Sequence, residues 1–187
     1  MVNELEFPEL HLLHERHYGV TPEVGAGLAQ AARVCLDRHH SPPVLITVSL
    51  DRGAEHAYLT DWKSEAHRAQ QAYGNSDEAT RDGAYCLALA AAEVHLSLVA
   101  YGRTGRGTGA DYIIGAPGDP DPLDIELNLE DAYRLEVSGI DRCESLATLS
   151  YRVRQKLEQT RRGTSILPAL AGVVAFYLLR VVFERAW

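Results

Sequence analysis

Residues 96–101, LSLVAY, 110–116, ADYIIGA, and 132–137, AYRLEV, decide the fold. Each is short and rich in apolar, β-branched or aromatic side chains, which reads as a strand. The glycine-rich GRTGRGTG at 102–109 turns the chain between the first two, and the acidic, proline-containing PGDPDPLD at 117–124 leads toward the third. Ser138-Gly139 is expected to end the third strand. Upstream, Asn75-Ser76 caps a helix over DEATRDGAYCLALAAAEVHL at 77–96. Its first-turn acids Asp77 and Glu78 suit the positive end of a helix, and its later part is apolar on nearly every side, hence buried. Downstream, a basic helix is expected from about Cys143 to Thr160, followed by a strand after Pro168.

Working outward, Thr21-Pro22-Glu23 starts a helix that runs to about His40. VLITVSL at 44–50 and a second strand at Ala57–Trp62 form a hairpin, and a polar helix at 64–73 closes on Gly74. The lead-in over residues 4–18 reads as amphipathic or irregular. The expectation is therefore one α/β domain, 1–187: a mixed central sheet flanked by helices. Residues 75–187 form its core, helix-strand-strand-strand-helix-strand, and 1–74 add an N-terminal helix and hairpin.

The bulk chemistry excludes several classes. The chain has 187 residues, of which 46% are hydrophobic, enough for a sizeable core. Its net charge of −8 gives no overall field for nucleic acid, so any such role needs a local basic surface. Cys35, Cys86 and Cys143 are odd in number and far apart, which predicts reduced, buried thiols in a cytoplasmic protein. The N-terminus has no basic and then apolar run, so no signal peptide is expected. ILPALAGVVAFYLLRVVF at 166–183 offers only 14 residues before Arg180, short of the roughly 20 a spanning helix needs. A buried strand is the better expectation, and no membrane partner is predicted.

Three acids recur at comparable places. Glu78 is in the first turn of the buried helix, Asp111 opens the second core strand, and Glu136 lies late in the third. If those strands pair, Asp111 and Glu136 converge at one end of the sheet and form oxygen ligands for Mg²⁺ or Mn²⁺. Such a metal polarises a phosphate and acidifies a water.

This element order, with an acid on the helix, an Asp on the second strand and a Glu-x-x triplet on the third, resembles the PD-(D/E)xK (restriction-endonuclease-like) nuclease superfamily over roughly residues 75–185. The resemblance implies that Asp111 and Glu136 bind the metal, that Glu78 assists, and that DNA is cleaved by phosphodiester hydrolysis. The motif's Lys is replaced by Ser138, and Ala110 stands where the motif has Pro. Some members carry the Lys on the adjacent helix, where Lys156 is the nearest lysine. Arg103 and Arg106 of the glycine turn, with Arg152 and Arg154 of the basic helix, are the candidate nucleic-acid contacts. The competing reading is a non-catalytic interaction subunit of a larger assembly. It would work with a protein partner or as a homo-oligomer, with Glu136 paired to Arg134 or Arg142 and Asp111 bonded to the glycine-rich turn.

Other signals are weaker. His11, His14 and His17, spaced by three, could hold zinc with His39 or His40, but surface or interface histidines are the plainer reading. GRTGRGTG lacks the GK[ST] of a phosphate loop and leads into a strand.

Overall fold

The computed structural model describes residues 5–105, 110–118, 132–161 and 167–186. Its centre is a mixed sheet of eight strands in the order β1-β3-β2-β8-β7-β6-β5-β4. The strands are β1 (Leu5–Glu6), β2 (Val44–Leu50), β3 (Glu55–Thr60), β4 (Val99–Arg103), β5 (Tyr112–Gly115), β6 (Tyr133–Ile140), β7 (Ala169–Ala175) and β8 (Arg180–Ala186). Besides a short 3-10 turn at Leu10–Leu12, five helices surround it: α1 (Leu13–Arg16), α2 (Pro22–Asp37), α3 (His67–Ala72), α4 (Ser76–Leu96) and α5 (Leu146–Arg161).

β4, β5 and β6 pair antiparallel in sequence order. α5 then carries the chain back so that β7 lies parallel to β6. β7 is buried at every position and alternates between two cores. Leu170 and Val174 join the core under α4, while Ala171, Val173 and Ala175 join the one under α5. Because strand side chains alternate faces, α4 and α5 lie on opposite sides of the sheet. α2 packs outside α4, where Gly83 lets the helices approach: a Cβ there would stand 3.0 Å from Ala32 Cα. Thr21 caps α2 by accepting from the Val24 N–H, and Asn75 caps α4 by accepting from the Asp77 N–H.

The tail differs from the expected single strand. Residues 169–186 form a hairpin in which β8 runs antiparallel to β7 and parallel to β2. β8 thereby joins the N-terminal hairpin to the rest of the sheet. The turn, Phe176–Leu179, contains no Gly, Pro, Asn or Asp to announce it, and Leu179 takes a positive φ of 51°. β6 also continues through Ser138-Gly139 to Ile140, because β7 supplies backbone partners as far as Ala175. The lead-in contributes β1, paired parallel to β3. Among the described residues, no helix is long and apolar enough to cross a membrane.

Candidate functional site

β5 is paired to β6 from Tyr112↔Leu135 to Ile114↔Tyr133. Continuing that register by one residue sets Asp111 opposite Glu136. Beyond Asp111 there is no β5 residue to cover β6, so a notch opens beside Val137, Ser138 and Gly139. It forms a cavity of about 440 Å³ whose walls include Tyr85 and Arg81 of α4, Asp111, Glu136, and Arg152 and Lys156 of α5.

Both Asp111 oxygens are engaged. Oδ1 accepts from the Tyr85 hydroxyl at 2.7 Å, and Oδ2 accepts from the Val137 N–H at 2.8 Å. The glycine-turn contact of Asp111 is made by its backbone carbonyl, which accepts from the Thr104 N–H. Glu136 is 6% exposed. Its Oε1 accepts from Lys156 Nζ at 2.7 Å, and Nζ also donates to Gln159 Oε1 at 3.1 Å. Burial pushes the Glu136 carboxyl above its ordinary value. Lys156 opposes that shift, and the neighbouring Asp111 carboxylate adds to it. A buried carboxyl raised by burial and by a neighbouring carboxylate, with an ammonium bonded to it, is the kind of perturbed group that clusters at functional sites.

Not every expected residue reaches the notch. Glu78 is exposed and outside its lining, and on α4 Tyr85 makes the contact with Asp111 instead. Arg152 lines the notch, whereas Arg154 is exposed and outside the lining. Arg103 lies over the Tyr85 and Tyr112 rings, 4.9 and 5.2 Å from their centroids, and its Nε donates to the Tyr112 hydroxyl at 3.1 Å. It braces the aromatic pair behind Asp111 rather than standing in the cavity. Arg106 lies outside the described residues. Glu136 is held by Lys156, not by Arg134, whose Nε donates to the Leu167 carbonyl.

Tyr85 is the residue that sequence reasoning assigned to the core alone. Its ring does pack there, edge-on to Tyr112 at 5.6 Å. Burial, the hydrogen bond to Asp111 and the Asp111 charge together push its phenol well above the ordinary tyrosine range, so the hydroxyl stays a donor.

The chain matches no family model, and comparison with the curated proteins and the solved structures finds no significant relative. The site's chemistry therefore rests on its own geometry.

As to a metal, among the described residues no group of three or more His, Cys, Asp and Glu side chains is disposed to hold one. Asp111 and Glu136 nevertheless fit Mg²⁺ or Mn²⁺. Such ions bind through one or two carboxylates and complete their shell with waters and substrate phosphate. The histidines weighed as a zinc set are not gathered into one site. His17 is buried, its Nδ1 accepting from the Ala100 N–H and its Nε2 facing Glu93 at 3.3 Å. His39 faces Asp141, and His40 donates to the Phe176 carbonyl. In a larger hollow of about 770 Å³ beside Trp62, Arg33 pairs with Glu65 and His11 with Glu9.

Proposed function

We propose that the notch is the active site of a divalent-metal-dependent phosphodiesterase of nuclease type, acting on DNA. The observation that carries this reading is the convergence of Asp111, Glu136 and Lys156, from two strands and a helix, in one open cavity. The helix, three antiparallel strands, crossover helix and parallel fourth strand from α4 to β7 support the resemblance to the PD-(D/E)xK superfamily. In that reading Lys156 takes over the role of the motif lysine, whose position is Ser138.

When bound, Mg²⁺ or Mn²⁺ would supply Lewis-acid polarisation of the phosphate and acidification of the attacking water. Asp111 and Glu136, which both line the cavity, would hold the ion. Lys156 would orient the attacking water through a free Nζ–H. Arg152 and Arg81, at the rim, would bind non-bridging phosphate oxygens. The walls thus carry Arg81, Arg152 and Lys156 beside Asp77, Asp111 and Glu136, and such local basic groups are what an acidic protein needs to accept a polyanion.

A second reading has its own observation. Lys156 and Glu136 satisfy each other at 2.7 Å, as they would in a non-catalytic interaction subunit of a larger assembly that has kept the fold and lost the reaction. Calorimetric titration with Mn²⁺ and Mg²⁺, on the wild type and on Asp111→Asn with Glu136→Gln, decides between them when followed by plasmid cleavage in the same buffers. Saturable binding and cleavage, both lost in the double variant, support the nuclease. A folded wild type with neither leaves the subunit reading.

A further inference from the structure

We propose that Tyr85 is a positioning residue: its hydroxyl, together with the Val137 N–H, locks the Asp111 carboxylate in the orientation that receives a divalent cation. The inference rests on the metal-site reading above and goes beyond it, since it names what aims the ligand.

Asp111 sits just before β5, where its N–H donates to the Leu135 carbonyl, a bond that does not itself restrain the side chain. Rotation of its carboxylate is instead stopped by two donors on different oxygens, Tyr85 Oη on Oδ1 and Val137 N on Oδ2. One lone pair on each oxygen is thereby used, and the others remain for the cavity shared with Glu136. The phenol is fixed in turn. Tyr85 is nearly buried in α4, its ring meets Tyr112 edge-on, and the Arg103 guanidinium lies over both rings while donating to the Tyr112 hydroxyl. Packing alone would not require the hydroxyl. The residues that follow it from Cys86 to Ala92 are all apolar and buried. Groups that orient a ligand in this way commonly set metal affinity by a factor of 10–100.

The test is Mn²⁺ calorimetry on the full chain, comparing the wild type, Tyr85→Phe and Tyr58→Phe, with metal-free melting of each. Tyr85→Phe should weaken Mn²⁺ binding by about 10-fold or more. Its metal-free melting temperature should fall by only about a few degrees, because the ring is kept and a single hydrogen bond to a carboxylate is lost. Tyr58→Phe removes a phenol hydroxyl that donates to the Val94 carbonyl of α4, away from Asp111 and its supports, and should leave the affinity within about twofold. In the wild type, Mn²⁺ should also produce a tyrosine ultraviolet difference spectrum that saturates with the calorimetric titration, a readout that needs no variant to fold. Saturable wild-type binding with Tyr85→Phe unchanged, or with no tyrosine signal, overturns the positioning role alone. No binding by the wild type overturns the metal site and this inference with it.

Discussion

Lys156 Nζ lies 2.7 Å from Glu136 Oε1, although the two residues are twenty apart in sequence and one is on a helix, the other on a strand. The distance follows from the different rise of the two elements. From Leu146 to Lys156 the helix advances about 15 Å, and from Ile140 back to Glu136 the strand covers about 13 Å. α5 runs back along β6, so a lysine far along the helix meets the middle of the strand.

That pair predicts the first result. Lys156 and Glu136 side chains are 17% and 7% exposed, so removing one leaves the other largely buried and uncompensated. Lys156→Met should destabilise the protein by about 2–3 kcal/mol, at or below the low end for buried pairs because Lys156 keeps some solvent contact. Adding Glu136→Gln should recover part of that loss, and urea unfolding of the two single variants and the double variant measures the coupling. If the nuclease reading holds, Lys156→Met also cuts cleavage by roughly 100-fold while Mn²⁺ binding persists.

Gly139 predicts the second. A Cβ there would run into the Thr80 carbonyl oxygen and stand 2.8 Å from Thr80 Cγ2 and 2.9 Å from Ala84 Cβ. The obstacle is helix backbone, which cannot swing aside like a flexible side chain. Gly139→Ala should therefore push α4 off β6 and destabilise by about 2 kcal/mol. Tyr85 is on the displaced helix, so Mn²⁺ binding should fall along with the melting temperature. A variant with unchanged stability would contradict the close packing of α4 on β6.

Much of this was legible beforehand, and the misses have physical causes. The β2–β3 hairpin was readable because the β-branched run Val44–Leu50 precedes Asp51-Arg52-Gly53 and an alternating run follows it, and Asp51 and Arg52 take positive φ there. α4 was readable from its cap and its unbroken apolar run. The β7–β8 turn was not, because Phe176–Leu179 is as apolar as the strands it joins. Asp111 and Glu136 were placed together by strand order alone. Lys156 was legible only through the resemblance, because its approach to Glu136 depends on how the rise of a helix matches that of a strand, which sequence spacing does not show. Tyr85 was missed because a tyrosine in an alanine- and leucine-rich helix satisfies the core, and its hydroxyl adds no periodicity.

The tail hairpin predicts the third result. Phe183 is fully buried on β8, and a Cβ on Gly172 of the paired strand would stand 3.0 Å from its ring. β8 is the strand between β2 and β7, so both halves of the sheet depend on it. Phe183→Ala should cost about 3–5 kcal/mol, the usual range for emptying a buried aromatic site. Chemical denaturation should show it as a lower midpoint. A loss below about 1 kcal/mol would argue that β8 is not held between β2 and β7.

Glu93 predicts an acid-sensitive clasp between α4 and the N-terminal segment. Its Oε2 accepts from Arg16 Nε at 2.9 Å and faces His17 Nε2 at 3.3 Å. Because His17 Nδ1 accepts from the Ala100 N–H, the ring proton is on Nε2 and points at Glu93. Burial alone would raise the Glu93 carboxyl, but the hydrogen bonds from His17 and Arg16 outweigh it and hold the carboxyl below its ordinary value of 4.5. A group whose folded pKa is depressed stabilises the fold above its unfolded pKa and loses that contribution as pH falls through the folded value. Glu93→Gln should therefore cost about 1–2 kcal/mol at pH 7, a typical worth for hydrogen bonds to a charged group that is partly exposed. The difference from wild type should shrink as pH falls below 4.5, toward zero once Glu93 is protonated in both states. Urea unfolding of both proteins from pH 7 down to about 3 tests this, and a gap that stays constant across that range would rule out a charged clasp.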